Sequence, residues 1–292
     1  MSVRIGFLLP SYSRHSKSYM PLVLQALADA GAVVDVVHPV ELADLSQVRV
    51  AHDLYVLRKM SGLALSLAGA LHELGAAILN PYPVSAALRD KIMSGRILQA
   101  AGVPTPATYV ASHPERFAPL LDAGPLVLKP YLGAGGHHVR VVRTAAELRA
   151  VPHNRREPAF AQRYHRPQGR DRKLYVIGGQ VFGVKKVFPR RTEADRQGEP
   201  FIPSAELHDI ALRCGRAFGI DLYGVDIIES AGQPYVVDVT SIPGYKGVPD
   251  APRRLAQYIR AAAERAARGE PIVTRPPSPP PAAPPVLSEA LR

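Results

Sequence analysis

Tyr223-Gly224-Val225-Asp226-Ile227-Ile228 and Pro234-Tyr235-Val236-Val237-Asp238-Val239-Thr240 are the two stretches that decide the fold. Both are rich in β-branched and aromatic residues, which is typical of strands. The two aspartates lie twelve residues apart. If the strands are adjacent, the carboxylates lie side by side, and like charges held that close need a counter-charge. We therefore predict that Asp226 and Asp238 bind Mg²⁺, although aspartate at a strand end is also a common turn residue.

The composition limits the class of protein. The 292 residues are 47% hydrophobic, which is enough for one large domain or two smaller ones. The single cysteine, Cys214, excludes an intrachain disulfide and a cysteine zinc site, and we expect it to be buried in a helix. No apolar run is long enough to span a membrane, and residues 1–10 are too strand-like for a signal peptide. We expect a cytoplasmic protein with no membrane partner.

The positive charge of the chain is concentrated in one segment. The formal net charge is +11, and ten Lys or Arg residues stand against three acidic residues between Arg163 and Arg196. Basic side chains on strands that face a cleft predict a pocket for phosphate groups, whereas a solvated loop with ordinary surface arginines is the alternative. Nucleic-acid binding rests on charge alone, and without a recognition helix we do not expect it.

The first part of the chain alternates strands with helices. We predict strands over residues 3–9, 32–37, 53–57 and 76–80, and helices over 21–30 and 63–74. This alternation predicts an α/β domain with a parallel sheet and helices on both faces. The first strand is not followed by Gly-x-Gly-x-x-Gly, so we do not expect a dinucleotide site.

The rest of the chain has a different pattern. Asp90 is placed to cap a helix that runs to about Ala101, and short strands mixed with single helices then predict an α+β region to about residue 245. Asp250 is placed to cap a last helix with an apolar stripe. Residues 271–285 contain eight prolines, which predicts an extended, disordered tail that is either inert or a polyproline ligand.

Four features that carry chemistry occur in order along the chain. Arg89-Asp90-Lys91 stands at a helix start, and a strand that ends at Lys129 leads into the glycine-rich segment 133–139. A lysine that emerges from an apolar strand needs an anion, and glycines let backbone N–H groups approach phosphate oxygens. The strand over residues 159–164 and the aspartate pair complete the set.

This order resembles the ATP-grasp superfamily and, within it, the RimK-type glutamate ligases. The resemblance covers the chain to about residue 268. It rests on the Lys129 and glycine-loop segment, on Gly169-Arg170-Asp171-Arg172-Lys173 with Val176-Ile177-Gly178-Gly179, and on the block from Gly224-Val225-Asp226 to Pro243-Gly244. Together these motifs are highly specific.

The resemblance implies a role for each matching residue. It implies that ATP phosphates are bound by Lys91, Lys129 and Lys173, under a loop that includes Gly133, Gly135 and Gly136. The backbone of Gln162, Arg163 and Tyr164 would meet adenine, and Asp171 would reach the ribose. One or two Mg²⁺ ions, with Mn²⁺ as an alternative, would be held by Asp226, Asp238 and Thr240.

Two departures from the ligase pattern bear on the substrate. Asp238-Val239-Thr240 stands where the family usually has Glu-x-Asn, and the segment after Lys185-Lys186 lacks the usual Arg-x-Asn. We expect the acid substrate to meet four basic residues, namely Lys185, Lys186, Arg190 and Arg191. The predicted catalytic residues are Lys129, Lys173, Lys186 and Arg190. For His137 and His138 we favour a role in the phosphate loop or at the surface over acid–base catalysis.

The resemblance implies an ATP-dependent carboxylate–amine ligase that works through an acyl phosphate, with a small or peptidic acid and an amine as substrates. The inositol-phosphate kinases of the same superfamily also use Asp in the metal block, so a kinase acting on a phosphorylated polyol is the alternative. A nucleotide-binding module without turnover is the third hypothesis.

We expect an α/β domain over 1–88, a central subdomain over 89–165, a C-terminal subdomain over 166–268 and a tail over 269–292. An oligomer is compatible with the sequence.

Overall fold

The structure of the chain is a computed structural model that describes residues 2–9, 17–37, 44–58, 62–133, 138–187 and 192–273. The predictions for the tail beyond residue 273 lie outside these residues. Within the described ranges, every helix is too short or too polar to cross a bilayer. The described residues form three separate sheets, and the strands of the first are parallel.

The N-terminal sheet has the strand order β2-β1-β3-β4. This parallel arrangement confirms the interpretation of the alternating pattern, although the fourth strand is shorter than predicted. The elements of this part are β1 (Arg4–Leu8), α1 (Met20–Asp29), β2 (Val33–Val37), β3 (Leu54–Leu57), α2 (Leu63–Glu73) and β4 (Ile78–Leu79).

Helices cover both faces of this sheet, and one of them comes from the far end of the chain. The face that carries Ile5 and Phe7 packs against α1 and against α8 (Ala251–Ala267). The opposite face, with Tyr55 and Leu57, packs against α2. Because a strand buried on both faces has no polar side, β1 and β3 are almost wholly apolar.

Two short helices connect the N-terminal sheet to the rest of the chain. Asp90 separates α3 (Tyr82–Arg89) from α4 (Lys91–Ala100), and its carboxylate accepts the N–H groups of Ile92 at 2.8 Å and Met93 at 3.1 Å. The predicted cap at Asp90 is therefore confirmed. The helix α3 was not predicted, because prolines around Tyr82 indicate a break, yet proline is well tolerated in a first helical turn.

The central sheet is antiparallel, with the strand order β5-β8-β6-β7. One face packs against a 3₁₀ segment, Pro114–Ala123, and a short helix through a core that includes Phe117 and Leu148. The other face remains available for a cleft. The elements are β5 (Thr108–Ala111), β6 (Leu126–Lys129), β7 (Arg140–Val142), α5 (Ala145–Arg149) and β8 (Ala159–Arg163).

The C-terminal sheet is also antiparallel, with the strand order β11-β10-β9-β12-β13. A long amphipathic helix packs on one face and buries Cys214 as predicted, and this burial raises the pKa of the thiol to about 12. The elements are β9 (Asp171–Ile177), β10 (Gln180–Lys186), α6 (Glu193–Gln197), β11 (Glu199–Phe201), α7 (Ala205–Phe218), β12 (Leu222–Ser230) and β13 (Gln233–Ser241).

The last helix confirms one prediction and corrects another. The predicted apolar stripe is buried or partly buried, with Leu255 and Ile259 fully covered. The predicted cap by Asp250 is wrong in its chemistry. Asp250 occupies the cap position, but its φ of 54° is left-handed and its side chain makes no capping hydrogen bond. The carboxylate instead accepts from Arg253 Nε at 2.6 Å.

Candidate active site

Three charged residues form a row across neighbouring strands of the C-terminal sheet. Asp226 on β12 lies directly opposite Asp238 on β13 and, on its other side, opposite Lys173 on β9. Residues directly opposite in antiparallel strands share one face, so the predicted side-by-side aspartates are confirmed. Lys173 Nζ donates to Asp226 Oδ2 at 2.7 Å.

The aspartate pair carries an electrostatic conflict. Burial, followed by the charge of Asp226, raises the pKa of Asp238, while Lys91, Lys173 and Lys129 oppose this shift. A second carboxylate held beside a first disfavours its own ionisation, and a divalent cation between the two relieves the repulsion. The donor set therefore fits Mg²⁺, which prefers carboxylate oxygens.

Among the described residues, no group of three or more His, Cys, Asp or Glu side chains is arranged to hold a metal. Two carboxylates are nevertheless the usual protein contribution to a magnesium site whose other ligands are water and phosphate. Thr240 is two residues beyond Asp238 on the same strand and so lies on the same face of the sheet.

A glycine leaves room for this row. Gly224 on β12 lies opposite Thr240 on β13. A Cβ added at Gly224 would stand 2.9 Å from Pro243 Cγ and 3.0 Å from Lys173 Cε. The absence of a side chain at Gly224 therefore leaves room for the Lys173 side chain to reach Asp226 on the adjacent strand.

The central sheet contributes a lysine from the opposite side of the cleft. Lys129, at the end of β6, donates from Nζ to Gln162 Oε1 at 2.8 Å and to the Val237 carbonyl at 3.4 Å. Val237 is the extra residue of a bulge between the two aspartate strands, so its carbonyl is free of the regular ladder. Burial lowers the pKa of Lys129, Lys91 lowers it further, and Asp238 and Asp226 oppose the shift.

The glycine-rich segment begins beside the third lysine. Lys91 opens α4, where its Nζ donates to the Gly133 carbonyl and its N–H donates to the Tyr131 carbonyl at 2.9 Å. The left-handed φ of 107° at Gly133 favours glycine there. Gly135, Gly136 and His137 lie outside the described residues. His138, the next described residue, has a φ of 60°.

A cavity of about 440 Å³ lies between the central and C-terminal sheets. Valines of the central sheet form one wall and residues of β12 and β13 the other, while polar groups stand at the ends. Its lining comprises Pro106, Val127, Lys129, Val139, Val141, Gln162, Arg163, Tyr164, His165, Pro167, Gly169, Arg170, Asp171, Lys186, Val187, Ile228 and Val237. Apolar walls with a few convergent polar groups are what a flat heteroaromatic ligand requires.

Part of the predicted adenine segment is already engaged. The N–H groups of Arg163 and Tyr164 donate to the carbonyls of Ala107 at 2.8 Å and Pro125 at 3.0 Å. The guanidinium of Arg163 reaches back to the Gly124 and Leu120 carbonyls. The segment lines the cavity as expected, but these two amides and this side chain are hydrogen-bonded to segments that flank the central sheet.

The two predicted lysines of β10 lie on opposite faces. Lys186 is paired in register with Asp171 and shares the face of the aspartate row, where its Nζ donates to the carbonyls of Arg196 at 2.5 Å, Gln197 at 2.8 Å and Lys246 at 3.0 Å. Lys185 points the other way and lies 3.5 Å from Glu199 Oε1. The structure therefore does not bring Lys185 to the site. Arg190 and Arg191 lie outside the described residues.

The sequence reasoning missed one pair at the cavity. The rings of His165 and Tyr235 stack with centroids 3.9 Å apart. His165 lines the cavity, and burial, followed by the charge of Arg163, lowers its pKa, which favours the neutral imidazole. The two residues are seventy positions apart, and no local pattern links them.

Three lysines and two aspartates thus converge beside a cavity between two antiparallel sheets. This fold and this site define the class as the ATP-grasp ligases, the carboxylate–amine ligases of that superfamily, which bind ATP with Mg²⁺. The chain belongs to the RimK-like ATP-grasp family, whose sequence pattern matches residues 88–259, more than half of the chain.

Curated relatives agree with this assignment. The chain is 28% identical over 206 residues to a coenzyme gamma-F420-2:alpha-L-glutamate ligase of Methanococcus maripaludis, a match that covers 65% of this chain and 72% of that protein. It is 30% identical over 190 residues to a ribosomal protein bS6–L-glutamate ligase of Escherichia fergusonii, with 60% of this chain and 63% of that protein covered.

Solved structures share the fold. A RimK domain ATP-grasp protein of Sphaerobacter thermophilus superposes with a TM-score of 0.69 at 23% identity over 87% of this chain and 96% of its own. The ATP-grasp ligase PsnB, solved with a minimal precursor, Mg and ADP, superposes with a TM-score of 0.65 at 20% identity over 90% of this chain and 98% of its own.

Proposed function

We propose that this protein joins the amine of L-glutamate, or of a closely similar amino acid, to the carboxylate of a peptide or small acid in a reaction driven by ATP. The observation that carries this proposal is the convergence of Lys91, Lys129 and Lys173 on Asp226 and Asp238. Three ammonium groups against two carboxylates leave an excess of positive charge that suits a triphosphate. The names of the relatives support glutamate as the amine substrate.

The cavity between the sheets would hold the adenine ring. Its apolar walls would cover both faces of the ring, and His165, which stacks on Tyr235, also lines the cavity. Because the N–H groups of Arg163 and Tyr164 are already bonded, the adenine edge would be read by carbonyls of the segment or by the next amide. Asp171 lines the same cavity at a position suited to the ribose.

The three lysines would bind and orient the phosphate groups. Lys129 reaches the site from the central sheet and Lys173 from the C-terminal sheet, so a triphosphate between them is held from both sides. Asp226 and Asp238 would hold one or two Mg²⁺ ions, which when bound supply positive charge that stabilises phosphoryl transfer. We propose that Lys186, held by three carbonyls, shapes the cavity rather than contacting the acid substrate.

The reaction needs positioning and charge stabilisation more than a protein nucleophile. The substrate carboxylate attacks the γ-phosphorus of ATP, which gives an acyl phosphate and ADP. The amine then attacks the acyl carbon, releases phosphate and loses a proton as the amide forms. Throughout these steps, Lys129 and Lys173 would neutralise the charge that develops on the phosphate oxygens.

The test is release of ADP from Mg·ATP with L-glutamate and a panel of carboxylate-ended peptides and small acids, followed by mass spectrometry of the product. We expect ADP release to depend on both substrates and the acid to gain the mass of one glutamyl residue. Lys129→Met should abolish this reaction. Arg260→Met removes one positive charge from an exposed position on α8 and should leave it unchanged. Phosphate transfer to a polyol without any amine would instead support the kinase alternative.

A further inference from the structure

The carboxyl edge of the N-terminal sheet abuts the segment that follows the aspartate strand β13. Leu9, after β1, packs in one core with Ile242 and Tyr245. Asn80, after β4, donates from Nδ2 to the Leu222 carbonyl at 2.7 Å and to Ser241 Oγ at 3.0 Å. Open α/β sheets bind ligands outside the carboxyl ends of their strands, so this junction is placed to hold a substrate beside the phosphate site.

Arg58 stands at this junction and has a donor to spare. It follows β3 directly, and its N–H donates to the Leu8 carbonyl at 3.2 Å, which places it beside the end of β1. Its Nε is buried, and no hydrogen-bond partner for it occurs in the part of the chain that the structure describes. A buried donor on a charged group is costly to leave unpaired.

The phenol of Tyr245 lies within electrostatic reach of Arg58. Its guanidinium acts electrostatically on Tyr245, where it opposes the burial that raises the pKa of the phenol. The Tyr245 hydroxyl itself donates to the Val176 carbonyl at 3.3 Å. A neutral phenol can accept a hydrogen bond, but it does not neutralise the charge of a guanidinium.

A group of side chains close to the same segment has a surplus of positive charge. Glu193 is shared by three cations, with Lys17 at 3.3 Å, Lys246 at 3.6 Å and Arg196 at 3.7 Å. Lys246 directly follows Tyr245 in the chain. The surplus of positive charge therefore lies on the same segment as Tyr245, the residue next to Arg58. Such a surplus favours a ligand with more than one negative charge.

We propose that Arg58 binds a carboxylate of the amino acid that supplies the amine, and that it is thereby a specificity-determining residue. This inference rests on the function proposed above. A guanidinium offers two parallel N–H donors that match a carboxylate. The phosphate groups of ATP would already be bound by Lys91, Lys129 and Lys173, so we assign Arg58 to the amino acid. A carboxylate held by Arg58 keeps the amine at the junction between the sheet edge and the phosphate site.

The test measures binding of L-glutamate by calorimetry to protein loaded with Mg²⁺ and a non-hydrolysable ATP analogue. We expect Arg58→Gln to weaken L-glutamate binding by about tenfold or more, since a hydrogen-bonded charge pair is lost. The affinity for the ATP analogue should stay within about twofold, because the proposal assigns the phosphate groups to Lys91, Lys129 and Lys173 and not to Arg58. Arg58→Lys keeps the charge but loses the paired donors, so its affinity for L-glutamate should lie between those of the wild-type protein and of Arg58→Gln.

Two amide analogues identify the carboxylate without relying on a variant. L-Glutamine lacks the side-chain carboxylate and isoglutamine lacks the α-carboxylate. We expect one of the two analogues to bind the wild-type protein as weakly as L-glutamate binds the Arg58→Gln variant. The affinity for that analogue should not fall further in the Arg58→Gln variant. Arg260→Gln serves as the control for removal of one charge at an exposed site.

Equal affinity of the wild-type protein, Arg58→Gln and Arg58→Lys for L-glutamate would overturn the assignment of Arg58 and leave the proposed function intact. A wild-type protein that binds the ATP analogue but not L-glutamate would overturn both. If Arg58→Gln does not fold, Arg58→Lys and the two amide analogues still decide the question.

Discussion

The ion pair between Lys173 and Asp226 offers the sharpest test of the site as described. Its ammonium and carboxylate lie 2.7 Å apart, with 9% of the lysine side chain and 28% of the aspartate side chain exposed. Lys173→Met keeps a long apolar side chain and removes the charge. Asp226 would then stand beside Asp238 without its closest cation, so we expect the Mg²⁺-free protein to lose stability.

The size of the loss follows from the burial of the pair. Removal of one partner from a buried pair costs about 3–5 kcal/mol, and because Asp226 is partly exposed we expect about 2–3 kcal/mol for Lys173→Met. We expect Asp226→Asn to cost less, since it also removes the repulsion with Asp238. The double variant should cost less than the sum of the two single variants, with a coupling of about 1–2 kcal/mol.

The assay is urea unfolding at pH 7 with a chelator present, carried out on the wild-type protein, both single variants and the double variant. Two exposed partners on α8, Arg260 and Glu264, lie 2.9 Å apart with 45% and 40% of their side chains exposed, and they form the matched control pair. Their coupling should be only about 0.3–0.5 kcal/mol. Additivity of the Lys173 and Asp226 variants within about 0.5 kcal/mol would refute the buried-pair reasoning.

Three further predictions concern the same cleft. Asp238→Asn should raise the free energy of unfolding of the Mg²⁺-free protein, because its raised pKa means that the ionised carboxylate is unfavourable in the fold, and Mg²⁺ should no longer stabilise this variant. Gly224→Ala should destabilise the protein by about 1–3 kcal/mol, because the new methyl group would stand 2.9 Å from Pro243 Cγ. Tyr235→Ala should raise the Kd of an ATP analogue several-fold by removing the ring that stacks on His165.

The measurements for these variants differ. For Asp238→Asn, unfolding is followed from pH 3 to pH 7. A carboxyl whose pKa is higher in the folded state loses stability as pH rises through that pKa, so the advantage of the variant should grow with pH; an advantage that is flat or that shrinks would contradict the assignment. Gly224→Ser should be at least as unstable as Gly224→Ala. Tyr235→Phe keeps the ring and should bind the analogue normally, and a loss equal to that of Tyr235→Ala would exclude stacking as the cause.

Much of the site could be predicted from local sequence. The β-branched runs around Asp226 and Asp238 indicate two strands, and the short connection between them makes antiparallel pairing the simplest arrangement, which places the aspartates side by side. The cap at Asp90 and the emergence of Lys129 from an apolar strand are equally local. Each of these features depends on residues within a few positions along the chain, so the local sequence is enough to predict it.

Only the tertiary structure decided how distant segments meet. The packing of α8 on the N-terminal sheet and the stacking of His165 on Tyr235 join residues that no local pattern relates. The binding of Lys186 to three carbonyls likewise depends on α6 and on the segment after β13. A basic residue in a sequence shows that a charge is present, but which groups satisfy that charge depends on the backbone brought against it, and this is why Arg58 stood out only in the folded chain.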